Sequence, residues 1–179
     1  MTQSSVPEGY NTINSFIIAK DALKLIAFLT EVFGAEEDMN SHTVDSDGLL
    51  LHSELTIGNS RVMVADTKPG WPYTPGLLQI YVEDVEVTLA QAVKLGGEIV
   101  TKPTDFYGAV LSRMKDPFGN LWWVYQHNPA AETSWDQVGS GDDAGAYTSP
   151  GGDEQSWEPS EEMTYIHDTL LKVMEGLKA

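Results

Sequence analysis

The chain has no cysteine and little positive charge, and each absence excludes classes of function. Without cysteine there are no disulfides, no thiolate metal sites and no cysteine nucleophiles. Ten Lys and Arg stand against 27 Asp and Glu, which gives a formal net charge of -17 at pH 7. Such a chain repels nucleic-acid phosphates and anionic lipid headgroups. We therefore expect neither nucleic acid nor a membrane as a partner.

Long apolar segments and familiar catalytic motifs are also missing. No apolar run approaches the roughly 20 residues that a membrane-spanning helix needs, and residues 1–12 lack the regions of a signal peptide. The sequence contains no G-x-S-x-G, no G-x-G-x-x-G and no HExxH. We expect a soluble, cytoplasmic protein whose 179 residues form one domain or two small modules.

Residues 1–127 contain the same pattern twice. Each copy has a short apolar strand, followed by a helical stretch that begins at an aspartate and stops at a glycine. The aspartates are Asp21 and Asp84 and the glycines are Gly34 and Gly96, so the offsets are 63 and 62 residues. Aspartate is a common N-cap, and we expect each of these two to cap its helix. The pattern predicts two copies of a strand–helix–strand–strand–strand (βαβββ) module.

Two such modules predict an α+β fold, in which a half-open, curved mixed sheet surrounds a cleft. The chain after 127 differs, because 128–179 holds 11 acidic and only two basic residues. Ser160 is placed to cap a last helix that carries one apolar stripe. The predicted division is an N-terminal arm at 1–11, a first module at 12–68, an inter-module linker at 69–76, a second module at 77–127, an acidic Gly/Ser/Pro-rich linker at 128–160 and a C-terminal amphipathic helix at 161–179.

Three stretches of the two modules point to a known family. They are GLLLHSELTIGNSRVMVAD (48–66), YVEDVEVTLAQAVKLGGEIVTKPTDFYGA (81–109) and SRMKDPFGNLWWVYQH (112–127). They resemble the glyoxalase/bleomycin-resistance/dioxygenase group, the vicinal oxygen chelate (VOC) superfamily, and within it the PhnB-like branch. The resemblance covers roughly 10–127, and DPFGNLWW is its most specific part. It implies paired βαβββ modules and a homodimer.

The resemblance also implies a divalent metal, held by His, Gln or Glu from the first and last strands of each module. The matching positions of this sequence are Asn14, Met63, Leu77 and Trp123. None of these is a usual ligand of Zn²⁺, Fe²⁺, Mn²⁺ or Ni²⁺. We therefore predict no metal and no cofactor. A register slip of two residues would bring Gln79 to one of the positions.

Strand alternation predicts the side chains that face the cleft. It places Leu50 at the cleft and Trp122 in the core. Apolar and aromatic walls with a few polar groups are typical of a small-molecule site. The predicted ligand-binding residues are His52, Glu54, Met63, Leu77, Gln79, Arg113, Trp123 and Tyr125.

Some of these residues also have a structural interpretation. His52 and Glu54, two apart on one strand, could form a hydrogen-bonded pair, and Arg113 could pair with Glu54 across the sheet. His52 and Glu54 are also the only candidate catalytic residues, because a carboxylate beside an imidazole can tune its pKa toward neutrality.

Three functions are open at this point. The favoured one is a metal-independent protein that binds or sequesters a small molecule in the cleft. The second is an enzyme of the superfamily (a lyase, isomerase or dioxygenase), using a non-standard metal arrangement around His52, Glu54 and Gln79 or metal-free acid–base chemistry through the first two. The third is an interaction module whose cleft is filled by its own side chains or by its tail. The sequence does not identify the ligand.

Overall fold

The computed structural model describes residues 5–129 and 159–177. Two βαβββ modules follow one another and a third helix comes after them, which confirms the predicted α+β fold. Most of the predicted acidic linker, 130–158, lies outside the described residues. Module one consists of β1 (Ser15–Ala19), α1 (Ala22–Phe33), β2 (Glu36–Val44), β3 (Leu50–Ile57) and β4 (Ser60–Asp66). Module two consists of β5 (Leu77–Tyr81), α2 (Val85–Lys94), β6 (Glu98–Phe106), β7 (Ala109–Lys115) and β8 (Leu121–Gln126), and the last helix is α3 (Glu161–Gly176).

Each module forms one four-stranded sheet. The strand order is β1-β4-β3-β2 in module one and β5-β8-β7-β6 in module two. The first strand of each module pairs in parallel with the last, and the other pairs are antiparallel, so both sheets are mixed. Within the described residues no ladder joins the two sheets, and each sheet therefore stays open.

Each helix covers one face of its own sheet. In module one, Leu25 and Leu29 of α1 share a buried cluster with Ile17 and Val64 of the strands. Module two repeats this arrangement with the apolar side of α2. The apolar residues recur on one side of each helix and at alternate strand positions, which directs them to the same layer.

The two modules meet through their helices. The α1 and α2 helices are in contact, and Phe28 lies edge-on to Phe118 with 6.4 Å between ring centroids. Phe33, at the end of α1, lies 4.8 Å from the ring of Trp122. Trp122 is buried, as predicted, and its place in the core joins the two modules.

The start of α1 is held from outside the helix, and the prediction that Asp21 caps it is wrong. The Asp21 side chain makes no capping hydrogen bond and pairs instead with Lys24 at 2.5 Å. One oxygen of the buried Asp66 carboxylate accepts from the Ala22 backbone N–H, and the other from the Leu50 N–H, both at 2.7 Å. A carboxylate from the end of β4 thus satisfies a donor that local capping leaves free.

The other two helices begin as the sequence predicts. Asp84 accepts a hydrogen bond from the Val87 N–H at 2.9 Å and so caps α2. Ser160 accepts from the Met163 N–H at 3.3 Å and caps α3. In both cases the cap residue has extended backbone, the conformation that brings a side-chain oxygen over the first turn.

The DPFGN turn between β7 and β8 is built around one buried carboxylate. Asp116 is 2% exposed, and it accepts from the backbone N–H groups of Phe118 and Asn120, both at 2.9 Å. Its second oxygen accepts from the Asn120 side-chain amide at 2.8 Å and from the Trp122 indole N–H at 3.0 Å. Gly119 supplies the φ of +93° that completes the turn. The motif therefore fixes the turn and the core tryptophan together.

The α3 helix lies along β6 of module two. The hydroxyl oxygens of Thr169 and Thr101 are 2.8 Å apart, and the Tyr165 hydroxyl accepts from the Lys102 N–H at 2.9 Å. Within the described residues of α3 only Ile166 is buried. None of the described helices has the length and apolarity needed to cross a membrane.

Candidate functional site

Each sheet has one face under its helix and one face turned away from it, which we call the open face. The strand ladders place equivalent side chains on the two open faces, because the modules share one topology. In each module, three paired residues come from the first, fourth and third strands, in that order. They are Phe16, Met63 and Glu54 in module one, and Gln79, Trp123 and Arg113 in module two.

The open face of module one is crossed by the N-terminal arm. Tyr10 donates its phenol hydrogen to one Glu54 oxygen, and its ring lies 5.0 Å from the guanidinium carbon of Arg61. The Arg61 Nε is 3.8 Å from the same carboxylate oxygen. His52 Nε2 lies 3.2 Å from the other oxygen, so the expected His52–Glu54 pair is present. Every charged group of this cluster has an opposite charge or a hydrogen-bond partner.

These contacts fix the ionisation of the cluster. The hydrogen bond from Tyr10 is the main reason that the pKa of Glu54 lies below its usual value, and His52 and Arg61 lower it further. The same bond raises the pKa of Tyr10. Because a lowered pKa keeps a carboxyl ionised at neutral pH, Glu54 acts here as a hydrogen-bond acceptor for Tyr10 and His52 and as an ion-pair partner of Arg61, rather than as a proton donor.

The open face of module two instead presents aromatic surface. Tyr81 is 63% exposed, and its ring lies 5.6 Å from that of the half-buried Tyr125. Phe106 lies 6.3 Å from Tyr125 on the other side, and Leu77 is 53% exposed at the edge strand. We call this set, with Trp123, the aromatic face. Its residues are Leu77, Tyr81, Phe106, Trp123 and Tyr125.

The polar groups of this face differ from those of module one. Gln79 donates to the Tyr81 hydroxyl at 3.1 Å. Arg113 is buried, and its guanidinium carbon lies 5.2 Å from the Trp123 ring. The interpretation that Arg113 pairs with Glu54 is wrong, because the two lie in different sheets and the cation beside Glu54 is Arg61.

The eight predicted ligand-binding residues therefore fall into two sets. Three lie on module one and five on module two, each set on the open face of its own sheet. The prediction that Leu50 joins them is wrong, since it is 2% exposed in the core. The β2–β3 ladder shifts register between Thr43 and Val44, which turns Leu50 inward. The sets are His52, Glu54 and Met63 in module one, and Leu77, Gln79, Arg113, Trp123 and Tyr125 in module two.

A groove of about 600 Å³ separates the edges of the two modules. Phe33 and the β3–β4 turn at Gly58 line one side, and the edge strand β5 lines the other with Gln79 and Tyr81. Gln79 is the one predicted ligand-binding residue in this groove. The groove connects the aromatic face to the free edge of β5.

The residues present do not fit the metal that the family resemblance implies. Asn14 is engaged with Asn11, donating to its carbonyl at 2.7 Å and accepting from its N–H at 3.0 Å. Met63, Leu77 and Trp123 offer no oxygen or imidazole ligand. Among residues 5–129 and 159–177, no three His, Asp or Glu side chains are grouped to hold a metal ion.

Sequence reasoning missed the residues that close the open faces. Tyr10 lies in an arm without periodicity, so no pattern pointed to its contact with Glu54. Thr101 carries no motif, yet its hydroxyl accepts from Arg113 at 3.2 Å. The apolar stripe of α3 predicted an amphipathic helix, but it gave no indication that the Ile166 carbonyl would accept from the same arginine.

The family model of the glyoxalase/bleomycin resistance protein/dioxygenase superfamily matches residues 10–124, well over half of the chain. This chain belongs to that superfamily. The match spans both modules and ends within β8, so α3 lies outside it. No curated protein sequence matches this chain.

Solved structures of this VOC superfamily share the fold. TioX from Micromonospora sp. ML1 is 21% identical, with a TM-score of 0.52 over 66% of this chain and 97% of its own. A PhnB protein from Bacillus cereus is 17% identical, with a TM-score of 0.53 over 65% and 100%. The fosfomycin resistance protein FosX from Listeria monocytogenes is 19% identical, with a TM-score of 0.54 over 68% and 96%. At these identities the likeness concerns the fold.

Proposed function

We propose that this VOC protein binds or sequesters a small molecule on the aromatic face of module two, without metal-dependent catalysis. The observation that carries the proposal is the aromatic face itself, where Tyr81 and Leu77 keep more than half of their surface exposed. Aromatic and apolar walls supply affinity, and sparse polar groups such as Gln79 orient the ligand. The fold is shared by FosX, a fosfomycin resistance protein whose name connects it with a small molecule.

The contrast with module one supports the choice of face. There the arm residue Tyr10 already lies over Glu54 and Arg61, so a ligand would have to displace a hydrogen bond and a cation–π contact. Among the described residues no arm covers Tyr81 in this way. Contact with the exposed surfaces of Tyr81 and Leu77 therefore displaces no part of the described chain.

A homodimer in the cytoplasm is part of the proposal. The first strand of each sheet is an edge strand, and both carry exposed apolar side chains, with Phe16 52% and Leu77 53% exposed. Exposed apolar side chains at free strand edges favour association with another surface. A second copy of this chain is the partner we expect.

A ligand-induced thermal-shift screen of the full chain tests the proposal. Ligands that raise the melting temperature of the wild type should lose that effect in Trp123→Ala and keep it in Met63→Ala, the matched change on module one. Sedimentation equilibrium should give twice the mass of one chain, and elemental analysis of dialysed protein should give no stoichiometric metal. Hits that persist in Trp123→Ala but vanish in Met63→Ala would move the site to module one.

The His52–Glu54 pair supports one alternative, a metal-free acid–base enzyme. The 3.2 Å contact between His52 Nε2 and Glu54 would orient the imidazole, and the other ring nitrogen would then exchange a proton with a substrate. Turnover of any ligand found in the screen, lost in His52→Ala while binding is retained, would favour this alternative. Retained turnover in His52→Ala would exclude it.

A further inference from the structure

Arg113 is a buried cation without an anion among the described residues. Its side chain is 4% exposed, and burial lowers its pKa. No described carboxylate pairs with it, and the titratable group beside it is the neutral phenol of Tyr125. Burying an unpaired charge is costly, and arginine in protein interiors is normally paired. The cost indicates a role beyond packing.

The hydrogen bonds of Arg113 leave one edge of the guanidinium free. Nη1 donates to the Ile166 carbonyl at 2.7 Å and to the Thr101 hydroxyl at 3.2 Å, both neutral oxygens. Nε is buried and has no acceptor, as is also true of the Arg61 Nε. Within the described residues both guanidinium hydrogen bonds come from Nη1, and none comes from Nη2. The Nε–Nη2 edge presents two parallel N–H groups, the arrangement that a carboxylate accepts side-on.

The surroundings of this edge suit the rest of such a ligand. The guanidinium lies 5.2 Å from the ring of Trp123, which belongs to the aromatic face, and Tyr125 follows on the same strand and face. An aromatic or apolar body would contact these rings, while its carboxylate reached the arginine. The chain as a whole carries a charge of -17, so nonspecific electrostatics would repel such a ligand.

The equivalent position of module one shows that an unpaired charge is not a general property of the fold. Glu54 occupies that position, and its carboxylate has Tyr10, His52 and Arg61 around it. Only the charge in module two lacks a counterion among the described residues.

We infer that the ligand of the aromatic face is an aromatic or apolar carboxylate, bound side-on by the Nε–Nη2 edge of Arg113. The inference rests on the proposed function and names its ligand class. Because Nε is buried, the carboxylate reaches it with a local displacement of covering groups. The α3 helix, whose Ile166 carbonyl accepts from Arg113 and which buries one described side chain, is the element expected to give way.

Calorimetric titration with matched pairs of probes tests the inference. The pairs are benzoate and benzamide, phenylacetate and phenylacetamide, and indole-3-acetate and indole-3-acetamide, which differ in charge but little in shape. We expect the wild type to bind at least one carboxylate about tenfold more tightly than its amide. Arg113→Gln should abolish this preference, and Arg113→Lys, which keeps the charge without the fork, should reduce it. Arg61→Gln is the matched control and should keep it.

A stability measurement separates a binding role from a structural one. A buried arginine that is kept for binding lowers the free energy of unfolding. We therefore expect Arg113→Met to have a melting temperature equal to or above that of the wild type. A clear fall in melting temperature for this variant would overturn the inference. Equal binding of carboxylates and amides that depends on Trp123 would also overturn it, while leaving the proposed function in place. If no carboxylate of the panel binds, the inference fails, and the wider thermal-shift screen decides the proposed function.

Discussion

The two modules share a topology and differ in whether the charged residue on the open face has a partner. At the same ladder position, module one carries Glu54 and module two carries Arg113. The first is surrounded by donors, one of them brought by the N-terminal arm, while the second donates only to neutral oxygens. A duplicated fold therefore provides one face whose charge is paired and one face, partly covered by α3, whose charge has no anion among the described residues. Repetition of the backbone does not imply repetition of function.

The largest losses of folding stability are expected when the buried carboxylate of either module, Asp116 or Asp66, is removed. Asp116→Ala should cost about 3 kcal/mol of folding stability, because it leaves four buried donors without an acceptor. Asp66→Ala, in module one, should cost about 2 kcal/mol, since two backbone donors are involved. Urea unfolding measures both. A larger loss for Asp66→Ala would show that module one, rather than module two, limits stability.

Tyr10→Phe tests how much the hydrogen bond from the N-terminal arm stabilises module one. This change keeps the ring over Arg61 and removes the hydrogen bond to Glu54. We expect the melting temperature to fall by about 2–4 °C at pH 7, the shift typical of one hydrogen bond in a chain of this size. Differential scanning calorimetry measures it.

The pH dependence of the same variant has a defined sign. The folded pKa of Glu54 lies below its unfolded value, so its contribution to stability is present above the unfolded pKa and is lost as the pH falls through the folded one. The gap between wild type and Tyr10→Phe should therefore narrow below about pH 4, near the reference pKa of glutamate. A gap that is constant from pH 7 to pH 3 would contradict this account.

Truncating one side chain on each open face tests whether the ligand binds to the aromatic face alone. Trp123→Ala should weaken the ligand found in the screen by about tenfold, because it removes a large ring from the aromatic face. Met63→Ala, at the equivalent position of module one, should leave affinity within about twofold. Calorimetric titration of both variants gives the two affinities, and equal losses would mean that one ligand contacts both faces.

The smallest expected change in stability concerns the aspartates that precede α1 and α2. Asp84→Ala should cost about 1 kcal/mol, because Asp84 caps α2. Asp21→Gly should leave the melting temperature unchanged or raise it, since Asp21 provides no cap and holds a φ of +69° that glycine adopts freely. Thermal unfolding of both variants checks this, and a marked loss for Asp21→Gly would restore Asp21 as a cap.

The sequence predicted the elements better than the site. Periodicity and the DPFGNLWW motif placed both modules, the cap at Asp84 and the core position of Trp122. They could not show that a distant carboxylate, Asp66, replaces Asp21 at the start of α1, because that contact joins residues 44 apart. The irregular β2–β3 ladder likewise reversed the expected side of Leu50, since alternation assumes a regular strand.

The sequence by itself determined what is local or repeated: the two βαβββ modules, the cap at Asp84, the excess of acid and the absence of usual metal ligands at the four family positions. Only the tertiary structure decided how the charges are paired. Glu54 is satisfied by Arg61 and by Tyr10 from the arm, whereas Arg113 lies under α3 with no anion in the part of the chain that the structure describes. Hydrophobic pattern sets which face of an element is buried, but the neighbours of a charge depend on which elements pack together.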